Sequence, residues 1–502
     1  MMASTDLALP GDGIFALPEK VLQFGTGVLL RGLPDFLIND ANNKGLFNGR
    51  IVVVKSTSTG DTDAFDAQDG LYTVCIRGIE GGKKNASNHI VSSISRVLSA
   101  STQWEEILLC AENPKMELII SNTTELGITL IKDNVHATPP QSFPGKLLAF
   151  LYRRYKVFNG DVNKGMVVVP TELIPANADK LLSIVLELAH QNGLEISFID
   201  WLENANQFCN SLVDRIVPGK FGSKEQSEVE AELGYEDNLM IMSEKYALWA
   251  IQSGNEKVKQ VLSFADDSNG VIISPDINKF RELKLRLLNG SHTFSCGLAV
   301  LAGFDTVKEA MVNEAFANYI SMLMNDAIIP SVTGDNITHG EAKDFADKVV
   351  DRYRNPFIEH HWLSITMQYS SKMSMRNVAL IEEYIQRFGQ PSSLMALGMA
   401  GHILFLHCMP EADGKYYGKA GGKKYLVTDE NAIKYCEAWK QGKTASTVNA
   451  ILSNEVLWGK DLTQLPGFAT EVTSWLTVLL DEGVFNAMQN VVSQTTVLEN
   501  EK

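Results

Sequence analysis

An α/β domain over residues 1–275 followed by an all-helical domain over 276–502 is the fold class that this sequence predicts. Three observations predict it. Short, β-branched apolar runs alternate with helical stretches through the first half, the order that builds a parallel sheet with crossover helices. A glycine pair follows the first of those runs at once. After Lys279 the pattern changes to long amphipathic segments with few strand signals. At 502 residues the chain exceeds what one core usually serves, so two domains is the natural expectation.

Val21-Leu-Gln-Phe24 reads as the first strand, Gly25-Thr-Gly27 as a turn, and the run holding Phe36, Leu37 and Ile38 as a helix. Strand, glycine turn and helix form the order in which a Rossmann-like fold cradles a pyrophosphate. Gly25 permits the tight turn and Gly27 lets the backbone approach the phosphates, which makes Gly25, Thr26 and Gly27 candidate cofactor contacts. The pattern is looser than G-x-G-x-x-G, because Leu30 stands at the third position and Gly32 comes two residues late. A second strand, Ile51-Val-Val-Val54, ends in Lys55-Ser56-Thr57 without the acidic residue that usually holds a ribose 2′-hydroxyl. Asp61 and Asp63 follow several residues later, and Lys55 suits a 2′-phosphate, so this strand alone does not choose between NAD and NADP.

Further strands are expected at 71–76, 116–120 and 165–170, with a helix at 103–111. The strand at 116–120 runs into Ser121-Asn-Thr-Thr-Glu125, small polar residues where open sheets bind ligands. Asn177 is placed to cap a helix over 178–191. The polar, acidic stretch 222–237 reads as a surface excursion, and 269–275 as the crossover out of the first domain.

In the second half, helical patterns cover 279–304, 307–325, 340–354, 376–388, 392–406, 432–440 and 470–491. The first of these holds Lys284-Leu-Arg-Leu-Leu-Asn-Gly-Ser-His292. At 3.6 residues per turn, Lys284, Asn289 and His292 fall within about 140° of arc. An amine made basic by burial or a neighbouring cation removes a proton from an alcohol, while an amide and an imidazole hold the oxygen. Taken alone, the triplet better fits an ordinary amphipathic helix with a solvated Lys284 and a hydrogen-bonded core His292, because Lys, Asn and His at such offsets are common. Pro356 breaks the helix near Asn355 and turns Arg352-Tyr-Arg towards a cleft. His360 and His361 are adjacent and lack a third ligand at telling spacing, so no metal site is expected. The basic, aromatic, glycine-rich stretch 414–424 reads as a mobile solvated loop.

The formal net charge of −16 argues against broad nucleic-acid binding. No apolar run approaches the length of a membrane span, and residues 1–18 lack the basic start of a secretory signal. Six scattered cysteines without a CxxC pair read as reduced thiols of a cytoplasmic protein.

Lys284, Asn289 and His292 match in type and spacing the Lys…Asn…His pattern of the polyol-specific long-chain dehydrogenases, the mannitol dehydrogenase family. Gln68-Asp-Gly-Leu-Tyr-Thr73, Ser121-Asn-Thr-Thr-Glu125, Leu212-Val-Asp-Arg-Ile-Val217, Leu288-Asn-Gly-Ser-His-Thr293 and Asp461-Leu-Thr-Gln-Leu-Pro-Gly467 resemble the branch that interconverts tagaturonate and altronate. The likeness runs from about Val21 to near the C-terminus. It implies a metal-independent oxidoreductase of hexuronate catabolism that uses NAD, with Lys284, Asn289 and His292 as the catalytic group. Cofactor contacts are expected at Gly25, Thr26, Gly27, Arg31, Ser56, Asp69, Thr123, Thr124 and Glu125. Substrate contacts are expected at Asp214, Arg352, His360 and Lys372, with Arg376 a further candidate for a carboxylate. The substrate is a small molecule, and the assembly a monomer or homodimer. Mannitol dehydrogenases carry an Asp-Asn pair where this chain has Glu172 and Leu173, so the pocket differs from a mannitol pocket. Fructuronate reduction, mannitol-type polyol oxidation and a catalytically silent dinucleotide sensor are the alternatives. An anionic substrate requires a local cationic cluster to override the global charge, which screening over about 8 Å permits.

Overall fold

Val21, Leu22, Ile51, Val52, Val53, Val54, Ile119 and Ile120 are buried, so these strands carry apolar side chains towards both faces. That composition belongs to a parallel sheet covered on two sides. In the computed structural model, which describes residues 10–57, 62–124 and 126–500, they form a six-stranded parallel sheet. Its spatial order is Ile94–Ser99, Arg50–Lys55, Glu19–Phe24, Leu118–Ser121, Val167–Pro170, Gln207–Phe208. Phe24 lies opposite Val54 on one side and Ser121 on the other. The order reverses at Glu19–Phe24, which makes the carboxyl ends around Gly25 and Ser121 the switch point where such sheets take ligands. Leu22, Val52 and Val54 pack on one face with Leu147, Phe150 and Ile184. Val21, Ile51 and Val53 pack on the other with Leu37, Ile38 and Trp249.

The chain divides into two compact units: Met1–Gly78 with Lys84–Ile277, and Ile79–Lys83 with Asn278–Lys502. Three details of the first unit depart from the expected elements. The edge strand Ile94–Ser99 was not anticipated, because Ile-Ser-Arg-Val-Leu-Ser lacks both clean alternation and a continuous apolar run. The expected strand at 71–76 is Tyr72–Glu80, which pairs in a separate sheet with Ile241–Glu244. Asn177 does not cap its helix: Ala176 is the N-cap, and the Asn177 amide donates instead to the Pro170 and Glu172 carbonyls at 3.0 Å. The stretch 222–237 contains a short surface helix, Ser223–Leu233, that buries only Val229.

The second unit is helix-rich. At its centre Ser291–Leu301 runs against Ser393–Phe405 at a spacing that only glycine allows. A Cβ on Gly398 would meet the Phe294 ring at 2.7 Å, and one on Gly401 would meet Leu298 at 2.5 Å. The expected helix at 307–325 is broken into Val307–Ala310 and Glu314–Met322 and continues as a π turn, Leu323–Ile328. The stretch 470–491 spans two helices, Phe468–Asp481 and Val484–Asn500, with Gly483 at φ +82° between them. The all-helical expectation also omitted a three-stranded antiparallel sheet of Met409–Pro410, Tyr416–Ala420 and Lys423–Val427. Thus 414–424 is a hairpin and not a mobile loop. Gly421 and Gly422, at φ +53° and +77°, supply the left-handed turn, and alternation buries Tyr425 and Val427. Among the described residues no helix is long and apolar enough to cross a membrane. All six cysteines are buried free thiols.

Candidate active site

In the first unit, Gly25 sits at φ +129° and donates its N–H to the Val54 carbonyl at 3.0 Å. A Cβ there would lie 2.9 Å from the Asn122 carbonyl oxygen, so the turn admits only glycine. A Cβ on Gly27 would meet nothing within 4 Å, which leaves the backbone open to a ligand. Gly27 precedes the helical segment Val28–Gly32 without a side-chain cap. The Ser56 hydroxyl, just past the second strand, is buried with no partner among the described residues. Thr123 donates its N–H and its hydroxyl to one Glu172 oxygen at 2.9 and 3.0 Å, and Ser121 donates to the other at 3.0 Å. Burial raises the Glu172 carboxyl above its ordinary range, with those donors pulling against it. Thr124 is exposed at φ +101°, and Asp69 is exposed at φ +53°. Backbone N–H groups, a free hydroxyl and polar strand ends are the donors that a dinucleotide takes.

Not every expected contact lies there. Arg31 is buried between Tyr72 and Phe65, and its guanidinium donates to the Leu239 carbonyl at 2.6 Å. The Lys55 amine turns back to the Thr57 carbonyl at 2.7 Å. Asp214 is buried at the end of Ser211–Asp214, opposite Leu248. Glu125 and Asp61 lie outside the described residues.

In the second unit the helix carrying the Lys, Asn and His triplet is not regular. Asn278–Leu283 is α-helical, Lys284–Gly290 forms a π turn, and Ser291–Leu301 resumes the α-helix. A π turn bonds residue i to i+5, so Lys284 and Asn289, five apart, come to one face. Regular α geometry would separate them by about 140°. Four successive carbonyls of this turn receive side-chain donors. The Ser291 hydroxyl donates to Leu287, Tyr353 to Leu288 at 3.0 Å, Thr293 to Asn289 at 2.8 Å, and the Asn377 amide to Gly290 at 3.2 Å. These donors satisfy carbonyls at the seam between the two helical windings.

His292 is buried, with its ring stacked on Tyr353 at 4.2 Å and 11°. His360 and Trp362 meet it edge-on at 5.2 and 5.7 Å. Burial first, then His360, Arg352, Arg376 and Lys372, hold the imidazole well below its ordinary range. It is therefore neutral at physiological pH, and its Nε2 has no partner among the described residues. Lys372 donates to the Ile365 carbonyl at 3.0 Å, and Arg376 to the Thr293 hydroxyl at 3.1 Å. Burial lowers both cations, and Arg376 adds to the effect on Lys372. Arg352 is buried in the helix His339–Tyr353, next to the stacking tyrosine. Lys284 and Asn289 are half-buried. His360 thus meets the His292 ring, and the charges of Arg352, Arg376 and Lys372 act on it.

Tyr353, Thr293 and Asn377 were not foreseen as site residues, and Glu172 was noted only as a departure from the mannitol pattern. Tyr353 and Thr293 adjoin singled-out residues, but their roles depend on a helical winding that periodicity does not report. Among the described residues no group of three His, Cys, Asp or Glu side chains is placed to hold a metal.

The mannitol dehydrogenase Rossmann domain profile matches residues 19–262, and the mannitol dehydrogenase C-terminal domain profile matches 276–480. The chain belongs to the mannitol dehydrogenase family. It is an oxidoreductase of that family. A relative named altronate oxidoreductase from Bacillus subtilis is 35% identical over 481 residues, covering 95% of this chain and 96% of the relative. One of the same name from Bacteroides thetaiotaomicron is 34% identical over 478 residues, covering 95% and 97%. The fold matches that of a substrate-free D-sorbitol dehydrogenase with a TM-score of 0.76 at 18% identity, covering 97% of this chain and 100% of that one. A ternary complex of Pseudomonas fluorescens mannitol 2-dehydrogenase with NAD and D-mannitol matches at 0.64 and 20%, covering 97% of each.

Proposed function

We propose that the protein interconverts a ketouronate and its aldonate, tagaturonate and altronate, with NADH and NAD. The observation that carries the reading is that the charges of Arg352, Arg376 and Lys372 all act on a neutral, buried His292. A polyol has no charge to reward three cations acting on one ring in so acidic a chain, whereas a uronate carboxylate does. The altronate oxidoreductase name of the relatives supports the same substrate class. The first unit fits the dinucleotide through the open backbone at Gly27 and the unpartnered Ser56 hydroxyl. Lys55, the one cation at the end of that strand, is turned to a carbonyl, which favours NADH over NADPH.

When bound, the nicotinamide supplies or takes the hydride. Lys284 handles the proton: as the ammonium it gives one to the reduced oxygen, and as the amine it takes one from the hydroxyl. Asn289, brought to the same face by the π turn, donates its amide to that oxygen. The Nε2 of neutral His292 is the atom left to bond it, so charge developing on the oxygen meets fixed donors. NADH and NADPH crossed with tagaturonate and fructuronate, read by loss of reduced-cofactor absorbance, tests the reading. The expected outcome is fastest oxidation of NADH with tagaturonate. Preference for fructuronate would move the assignment to the other ketouronate, and no turnover with either would overturn it.

A further inference from the structure

The geometry points to Tyr353 as a positioning residue that holds the π turn and the His292 ring in their working arrangement. The inference rests on the oxidoreductase reading above. Two independent contacts from one side chain carry it. The hydroxyl donates to the Leu288 carbonyl at 3.0 Å, within the turn that puts Lys284 and Asn289 on one face, and lies 2.8 Å from the Ser291 hydroxyl just beyond it. The ring lies flat on the imidazole at 4.2 Å, and no other ring stacks on His292 among the described residues.

Tyr353 therefore touches both the π turn and the His292 ring without presenting its own hydroxyl to the reacting atoms. It cannot serve as the acid, since its proton is committed within the turn and burial holds the phenol far above its ordinary range. What it controls is register. Without the hydroxyl, the Leu288 carbonyl keeps only the longer 3.2 Å side-chain bond from Ser291 among the described residues, and regular α winding competes with the π turn. Relaxation to α geometry would rotate Asn289 away from Lys284. A displacement of about 1 Å at a reacting group costs up to about a hundredfold in rate.

The test compares Tyr353→Phe, which keeps the ring, with Tyr353→Leu, which removes ring and hydroxyl. Steady-state kinetics with NADH and tagaturonate are paired with cofactor titration, thermal melts and nitrogen NMR of the imidazoles, His292→Gln identifying the His292 signals. For Tyr353→Phe, kcat should fall about tenfold to a hundredfold while KM and cofactor affinity stay within about twofold. The melting temperature should stay within a few degrees. For Tyr353→Leu, the His292 nitrogen signals should shift and the ring should take up a proton at higher pH, as water reaches it. Unchanged kcat in Tyr353→Phe, or unchanged His292 signals in Tyr353→Leu, overturns the inference. So does a fall in kcat that only mirrors lost folded protein. The NMR readout does not depend on the reaction: an inactive wild type whose His292 signals respond to Tyr353→Leu would fail the functional reading and leave the hold on the imidazole standing.

Discussion

The Arg376 guanidinium donates to the Thr293 hydroxyl at 3.1 Å, and that hydroxyl donates onward to the Asn289 carbonyl at 2.8 Å. One short chain of hydrogen bonds therefore ties a cation suited to a carboxylate to the backbone of Asn289, the residue proposed to hold the reacting oxygen. In the proposed mechanism, recognition and chemistry share a scaffold. Removing the guanidinium should cost a charge-assisted hydrogen bond, about 1.5–3 kcal/mol, or roughly tenfold to 150-fold. Arg376→Met is expected to raise KM for the ketouronate by that factor. Activity on an uncharged polyol, if any is detectable, should change by less than threefold. Equal losses on both substrates would show that Arg376 supports the turn and does not bind the carboxylate.

Lys284 opens the π turn and is assigned the proton transfer. General acid–base catalysis contributes about two to four orders of magnitude, so Lys284→Ala should lower kcat by that much. Cofactor affinity should stay nearly unchanged, because the glycine turn and the strand-end hydroxyls belong to the other unit. Near-normal turnover in this variant would remove Lys284 from the mechanism. A chelator should leave wild-type activity intact, since the proposed mechanism gives the oxygen an ammonium and N–H donors; loss with EDTA and recovery with a divalent ion would overturn that account.

How much of this was legible beforehand depended on which residues carried a local signal. Val21-Leu-Gln-Phe24 followed by Gly25 announced strand and turn, because a buried parallel strand needs continuous apolar residues and the turn needs a positive φ. The Lys, Asn and His triplet was visible as residue types, but its geometry was not. Hydrophobic periodicity averages over a helix and cannot show one turn wound differently, and the donors that permit it, Tyr353 and Asn377, lie far along the chain. Arg31 illustrates the converse. The family resemblance implied a cofactor contact for it, yet its side chain crosses the core to the Leu239 carbonyl, a partner 208 residues away. The hairpin at Tyr416–Ala420 was hidden by its lysines, which mask the alternation that buries Tyr425.

Gly25 offers a test of the cofactor turn that does not involve the catalytic helix. Alanine there would be strained at φ +129° and would bring its Cβ to 2.9 Å from the Asn122 carbonyl. Strain of this kind costs about 1–3 kcal/mol. Gly25→Ala should weaken NADH binding by at least about tenfold and lower the melting temperature measurably. Gly27→Ala meets no atom of the fold, so its stability should hold while binding falls. Unaltered NADH affinity in both variants would place the cofactor elsewhere.

His402 sets a stability change with pH whose sign follows from its burial. The ring is enclosed in the centre of the second unit, with Nε2 against the Tyr435 hydroxyl at 2.8 Å and Nδ1 lacking a partner among the described residues. Burial pushes its pKa down to about 3. Above about pH 6.5 the folded and unfolded chains both hold this ring neutral, and it contributes no pH dependence. As the pH falls from about 6.5, the unfolded chain takes up a proton that the fold refuses. Stability therefore drops on acidification, by up to about 1.4 kcal/mol per pH unit from this group. The deeply depressed His292 adds a slope of the same sign. A glutamine at 402 can keep the bond to Tyr435 and cannot titrate. His402→Gln should consequently flatten the decline between about pH 6.5 and 5 relative to wild type, by about that slope, in denaturant titrations at matched ionic strength. If the two curves run parallel through that window, the ring is protonated in the fold and its enclosure is not as tight as the structure has it.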